Sequence, residues 1–295
     1  MQKPMRPFSR HPMVAWMHRI RFGSEPSISL YQVLELYGLG VLKGALTTRA
    51  SSIAFSFFMA LFPFLLFVLN LIPFIPLADI EATFSELLIS TVPADIQTLI
   101  TDILSDIQNK PRGGLLSSTF LLSIFLMGNG VNAVFGGFED SIHVDFGRNF
   151  LRQYLYAVFV GILLAILLLV SVAGYLFFEL MVQESSLWEI RVSPWLRSLF
   201  FVFMSYWISA LLFYFGSTKG SGRTLFSAGA LVTTLLFMLT SYGFTLYLDY
   251  FATYNQLYGS IGAILILMLY IWLNANVLLL GFELNAAIGK LKQDS

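Results

Sequence analysis

Apolar residues run along this chain in six long stretches separated by shorter polar segments. In chain order, the stretches are Ser51–Ile75, Leu115–Phe138, Tyr154–Phe178, Leu199–Phe215, Leu225–Leu248 and Ile261–Phe282. A helix needs about 20 apolar residues to cross a hydrocarbon core of roughly 30 Å. The pattern therefore predicts an all-α fold, a polytopic bundle of six transmembrane helices whose fourth span is the shortest.

An amphipathic pattern precedes the first stretch. Its apolar residues recur at helical spacing, and Ser27 or Ser29 stands where a helix cap is expected. The residues of this pattern are Leu30, Val33, Leu34, Tyr37 and Val41. We expect an N-terminal amphipathic helix that lies in the cytoplasmic membrane interface.

A second amphipathic pattern lies in the longest polar insert, residues 76–114. One helical stripe carries Ile96, Leu99, Ile100, Ile103 and Ile107, and the opposite face carries Asp95, Asp102 and Asp106. This pattern predicts an extracytoplasmic helical hairpin between the first two spans. A metal site built from the three carboxylates is the alternative interpretation, although such a charge run is usually a solvated face.

The basic residues between the stretches predict the orientation. Thirteen lie on one side of the predicted membrane and four on the other, and loops rich in Lys and Arg face the cytoplasm. This predicts a multi-pass protein with both termini in the cytoplasm. We expect a cytoplasmic segment at 1–48 without a signal-peptide run, a membrane domain at 49–287 and a cytoplasmic tail at 288–295.

Composition narrows the class of protein. Only 12% of the 295 residues are charged and 57% are hydrophobic, whereas soluble domains carry roughly 25% charged residues. The zero net charge offers no basic field for nucleic acid. With no Cys and three His, the chain predicts neither a metal nor a cofactor, and no catalytic constellation is visible, so we expect no enzyme.

Polar residues inside the predicted spans are the candidate functional positions, because a polar group in lipid needs a protein partner or a wet cavity. The first span begins with Arg49 and carries Pro63, a helix kink that serves either packing or a hinge. Asn129 and Asn132 share one face of the second span, and act either as interhelical hydrogen-bonding groups or as solute contacts.

The sixth span carries Asn274, Asn276 and Glu283. Glu283 and Arg49 both fall near the cytoplasmic end, where an unpaired buried carboxylate would be costly. We therefore predict that they form an ion pair that joins the first and sixth spans. The alternative is that Glu283 reaches the lipid headgroups.

Three segments resemble the YihY/BrkB family of bacterial membrane proteins: Arg49–Pro63, Tyr258–Ala263 and Leu280–Ala286. The resemblance covers about residues 42–287, and the matching positions are Arg49, Pro63, Asn132, Gly259, Gly262, Glu283 and Asn285. It implies an inner-membrane protein with six helices, and it implies that the family's older label of ribonuclease BN is a misattribution. The family has no settled molecular activity.

These observations favour a transporter or exporter of an anionic or amphiphilic, lipid-related solute. The polar residues at similar depth and the Pro63 hinge support it, and three spans followed by three would suit inverted repeats. The alternative is a structural or assembly protein of the envelope, in which the polar residues only hold helices together. The expected partners are the lipid bilayer and an unidentified solute, and the oligomeric state stays open.

Overall fold

The computed structural model describes residues 21–22, 28–43, 45–71, 113–141, 150–183, 193–217, 225–251 and 260–293. Within these ranges the fold is helical apart from two short antiparallel strands, β1 (Arg21–Phe22) and β2 (Ile28–Ser29). The helices are α1 (Leu30–Lys43), α2 (Leu46–Leu71), α3 (Gly113–Glu139), α4 (Phe150–Gln183), α5 (Ser193–Gly216), α6 (Ala228–Phe251) and α7 (Ser260–Gln293). The predicted hairpin at 76–114, with its three aspartates, lies almost wholly outside the described residues.

Five of these helices, α3 to α7, are long and apolar enough to cross a membrane. The first predicted span corresponds to α2, which meets the same criterion only together with α1, bent 66° away from it. The structure therefore supports a multi-pass membrane protein with at least five spans, and the sixth span stays a prediction.

Local sequence explains how α1 and α2 begin. Ser29 and Gln32 form a capping box at the start of α1: the Gln32 amide donates to Ser29 Oγ, and the Ser29 amide donates to Gln32 Oε1. Of the two serines expected as the cap, Ser29 fills that role. Between α1 and α2, Ala45 adopts a left-handed φ of 47°, and its carbonyl accepts hydrogen bonds from the first turn of α2.

The six long helices pack in a ring, each against its neighbours in chain order, and α7 closes the ring on α2. Helix α1 lies against α7. A helix is present at the expected residues, but its amphipathic character and its position at a membrane interface stay predictions.

Burial is concentrated at one end of this ring. The buried residues fall at the starts of α2, α4 and α6 and at the ends of α3, α5 and α7. Because neighbouring helices run in opposite directions, these termini lie together, and we call this end of the ring the closed end. Of the thirteen basic residues of the more basic side, those in described helices lie at helix termini of this end: Lys43, Arg49, Arg152, Lys290 and Lys292.

Candidate functional site

A buried ion pair lies at the closed end. Arg49, in the first turn of α2, places Nη1 2.8 Å from Oε1 of Glu283 on α7. The two side chains are 5% and 0% exposed. The ion pair predicted from the sequence is therefore present, and it joins the first long helix of the ring to the last.

Two further groups hydrogen-bond to this ion pair. Arg49 Nε donates to the carbonyl oxygen of Gly137 at 2.7 Å, and Ser141 Oγ donates to Glu283 Oε2 at 2.8 Å. Gly137 lies in the last turn of α3 and Ser141 two residues beyond its end, so the network ties three helices together. Tyr37 of α1 lies within electrostatic reach of the Glu283 carboxylate. A buried charge pair is tolerable only with such additional hydrogen bonds.

The approach of α3 to its partners depends on Gly137. A Cβ atom at this position would lie 3.1 Å from the Ile53 side chain of α2 and 3.3 Å from that of Leu279 on α7. The missing side chain thus lets the backbone carbonyl of Gly137 reach the Arg49 guanidinium. Neither Gly137 nor Ser141 was expected as a partner from the sequence, because a backbone carbonyl and a lone serine carry no pattern that marks them.

Three phenylalanines fill the ring axis beside the ion pair. Phe138 of α3 stacks on Phe282 of α7 with ring centroids 3.9 Å apart and planes 6° apart. Phe213 of α5 contacts both rings edge-on, at 5.6 and 5.9 Å. We call Phe138, Phe213 and Phe282 the phenylalanine cluster. All three are nearly inaccessible, so the cluster seals the closed end.

A close crossing joins α6 to α7 at the same end. Gly229 and Gly281 face each other so closely that a Cβ on Gly229 would collide with the Gly281 carbonyl oxygen. Asn285 accepts a hydrogen bond from the Gly229 amide at 2.8 Å and donates to Ser227 Oγ at 2.9 Å. Asn285 therefore caps α6 from the neighbouring helix. The resemblance marked Asn285 as a matching position, but its capping role needed the structure.

The predicted asparagines are placed differently. Asn274 donates to the Tyr270 carbonyl and Asn276 to the Trp272 carbonyl, each four residues earlier in α7 itself. Asn132 is half-buried, and its Oδ1 is buried with no hydrogen-bond partner among the described residues. Asn129 is also half-buried. None of the described hydrogen bonds uses these four side chains to join two helices.

The depths of these asparagines are nevertheless similar. At about 1.5 Å per residue, Asn132 and Asn129 lie about 7 and 12 Å from Gly137 along α3. Asn276 and Asn274 lie about 10 and 13 Å from Glu283 along α7 by the same measure. They thus occupy one layer, which lies farther from the closed end than the ion pair does. Pro63 is buried, and α2 continues through it, so its role as a hinge stays a prediction.

Other contacts between helices use hydroxyl and indole groups. Trp272 Nε1 of α7 donates to Ser51 Oγ of α2 at 3.2 Å, and Ser241 of α6 pairs with the Tyr270 hydroxyl at 2.9 Å. Within the part of the chain that the structure describes, no group of three or more His, Cys, Asp or Glu residues could hold a metal ion. The described contacts at this end join helices around the Arg49–Glu283 ion pair.

Several apolar helices, a buried charge pair and close glycine crossings define a polytopic α-helical membrane protein. The family model described as Virulence factor BrkB matches residues 40–295. The chain therefore belongs to the Virulence factor BrkB family, as the resemblance of its motifs indicated.

Individual relatives agree with this assignment. The chain is 26% identical over 254 residues to the ribonuclease-like protein YfkH of Bacillus subtilis, covering 83% of this chain and 91% of the relative. It is 24% identical over 241 residues to a UPF0761 membrane protein of Coxiella burnetii, covering 79% and 84%. A UPF0761 membrane protein of Pseudoalteromonas translucida is 47% identical over 60 residues, 20% of each chain. No solved structure matches.

Proposed function

We propose that this protein is a transporter or exporter of an amphiphilic, anionic solute in the bacterial inner membrane, with both termini in the cytoplasm and no enzymatic step. One observation carries the proposal: the faces of α3 and α7 that meet at the phenylalanine cluster are buried at the closed end, and apolar side chains on the same faces are more exposed toward the opposite end of the ring, which we call the open end. A transporter that alternates its access closes one end while the other is open.

The exposure changes along one face of α3. Phe138 is fully buried and Val131, seven residues earlier, is 2% exposed. Met127 and Ile124 on the same face are half-buried, and Phe120, eighteen residues before Phe138, is 42% exposed. These positions share a face because they recur at helical spacing.

Helix α7 repeats this change at the same spacings. Phe282 is 1% exposed and Ala275 is buried, Ile271 and Met268 are half-buried, and Ile264 is 47% exposed. Because Phe138 and Phe282 stack on each other, the two faces are in contact at the closed end. Toward the open end, the residues on both faces are more exposed. The increase in exposure toward the open end is therefore found on both α3 and α7.

The lining favours an amphiphile over a small hydrophilic anion. All the residues named on these two faces are apolar, and a hydrated ion would gain no hydrogen bonds from them. A solute with a hydrocarbon portion would contact the same residues without giving up hydrogen bonds to water. The half-buried asparagines and the basic residues near the closed end remain available for a polar head.

A structural role in the envelope is the second candidate. Its support is that the ion pair, the Ser141 hydrogen bond and the Asn285 cap each join separate helices at the closed end. Such bonds would hold helices together whether or not a solute passes.

The test is translocation in proteoliposomes. A quencher added outside the vesicles measures how much fluorescent phosphatidylglycerol or phosphatidylcholine analogue reaches the outer leaflet. Efflux of chloride and acetate is measured in parallel. We expect protein-dependent movement of the anionic lipid. Met268→Trp, on the lining face, should reduce the rate several-fold, whereas Leu239→Trp, 66% exposed on α6, should leave it unchanged. Proteoliposomes that move no solute faster than protein-free vesicles would reject transport and favour the structural role.

A further inference from the structure

The weakest contact in the ring lies between α4 and α5. Of the six neighbouring pairs, these two helices touch least. At the closed end, Phe159 of α4 meets Phe215 of α5 edge-on, with ring centroids 6.1 Å apart. Residues 162–171 of α4 and 198–203 of α5 contain no buried position. Toward the open end the two helices therefore form a loose seam.

One apolar stripe of α4 borders this seam. It includes Phe159, and its members are 37–65% exposed, although all are large hydrophobic residues. The stripe consists of Leu155, Phe159, Ile162, Ile166 and Val170. Their spacing of three or four residues keeps them on one helical face. The stripe thus offers a hydrocarbon-compatible path beside the loosest point of the ring.

A basic residue, Arg152, lies at the end of this stripe that is nearest the closed end. Arg152 lies three residues before Leu155 on that face and is exposed. From Arg152 to Ile162 the helix rises about 15 Å, which is half of the roughly 30 Å hydrocarbon core. A lipid chain of one leaflet therefore fits between Arg152 and the middle of α4, with its headgroup beside the guanidinium.

Helix α6 offers a comparison within the same ring. Its exposed stripe contains Leu231, Leu235, Leu239, Tyr242 and Leu246, at nearly the same spacing. The position that corresponds to Arg152 is Ala228. Among the described residues this stripe is 43–67% exposed and has Ala228 where α4 has Arg152, and it serves as an internal comparison.

From these placements we propose that the α4–α5 seam binds an anionic lipid of the surrounding membrane, with its headgroup at Arg152 and its acyl chain along the stripe from Leu155 to Ile162. The inference rests on the proposed function, for which it names the substrate class and the side of entry. The lipid would pass sideways through the seam to the apolar lining of α3 and α7.

Photolabelling of the full chain in phosphatidylcholine vesicles tests the binding. The probes are a diazirine-bearing hexadecyl phosphate and the corresponding uncharged alcohol, and labelled residues are mapped by mass spectrometry. We expect the phosphate to label the α4 stripe more than the α6 stripe, and the alcohol to label both alike. Arg152→Gln should lower α4 labelling by the phosphate about fivefold, the equivalent of about 1 kcal/mol for one basic residue at a membrane surface.

Equal labelling of the two stripes by the phosphate in the unaltered protein would overturn the proposal. So would unchanged labelling in a folded Arg152→Gln variant. Arg152→Lys should retain most of the labelling, since a headgroup beside an exposed cation needs charge more than guanidinium geometry.

A cross-link separates this proposal from the proposed function. The chain has no Cys, so Val170→Cys with Phe203→Cys, which lie eleven residues after Phe159 and twelve before Phe215 on antiparallel helices, can be joined selectively across the loose part of the seam by a bifunctional maleimide. We expect that link to stop lipid translocation, whereas a link between Ser241→Cys and Tyr270→Cys on α6 and α7 should not. Translocation that persists across a closed seam would overturn lateral entry and leave transport standing. Selective labelling without any translocation would support the lipid site and reject transport.

Discussion

The two ends of the helix ring differ in both chemistry and packing. At the closed end, a charge pair, a stacked phenylalanine cluster and a glycine crossing bring the helices into contact. Toward the open end, the same faces of α3 and α7 carry apolar residues that are half-exposed. Since lipid is as apolar as Leu, helices in a membrane associate through close packing and polar contacts. Among the described residues the closed end has both, and we expect it to contribute most of the stability of the ring.

The largest expected effect comes from breaking the ion pair. Glu283→Ala should lower the free energy of unfolding by about 3–5 kcal/mol, because it leaves the Arg49 charge buried without its carboxylate. The Arg49→Ala, Glu283→Ala double variant should lose clearly less than the sum of the two single variants. Thermal unfolding in detergent measures all three, and Glu35→Ala at an exposed position should stay within about 0.5 kcal/mol. Additive single effects would contradict the coupling.

The next prediction compares the stability lost by two variants at opposite ends of one face of α7. Phe282→Ala removes a ring that stacks on Phe138 and should cost about 3–5 kcal/mol. Ile264→Ala, on the same face but 47% exposed, should cost less than about 1 kcal/mol because the side chain has fewer packing partners. Thermal unfolding in the same detergent gives both values. If the two variants lose equal stability, the contrast between the ends is wrong.

A smaller effect compares two glycines of α6. A Cβ on Gly229 would meet the Gly281 carbonyl and the Asn285 side chain, so Gly229→Ala should destabilise by about 1–3 kcal/mol. Gly243, nearer the open end, has nothing within 4 Å of such an atom. Gly243→Ala should be neutral or stabilising by up to about 1 kcal/mol, since alanine favours the helix. A destabilised Gly243→Ala variant would mean that the open end is as tightly packed as the closed end.

The smallest expected effect lies at the bend between α1 and α2. Ala45 adopts a φ of 47°, a conformation that costs a non-glycine residue roughly 1–2 kcal/mol. Ala45→Gly removes this strain but adds freedom to the unfolded chain, so we expect a net gain of at most about 1 kcal/mol. Ala50→Gly, in the buried helix interior, should instead lose about 1 kcal/mol. Comparison of the two melting temperatures checks the bend.

Part of the site could be read from the sequence. A carboxylate and a guanidinium near the same end of two apolar helices are each too costly to bury alone, and that cost predicted their pairing. The partners at Gly137 and Ser141 could not be predicted, because backbone carbonyls and serines are common in every span. The asparagines illustrate the converse: their polarity made them conspicuous, yet Asn274 and Asn276 direct their amides to carbonyls of their own helix.

The sequence by itself determined that this chain belongs in a membrane, approximately where its long helices lie, and which two charges pair. Those properties follow from composition and from the cost of isolated charge, and both can be read from residue types. Only the tertiary structure decided which faces meet and at which end the ring is tight. The physical reason is that lipid-facing and interior-facing positions are equally apolar here, so the helical pattern of apolar residues does not indicate which face points inward. Glycine contacts and aromatic stacking determine which faces meet, and both arise only when the helices pack together.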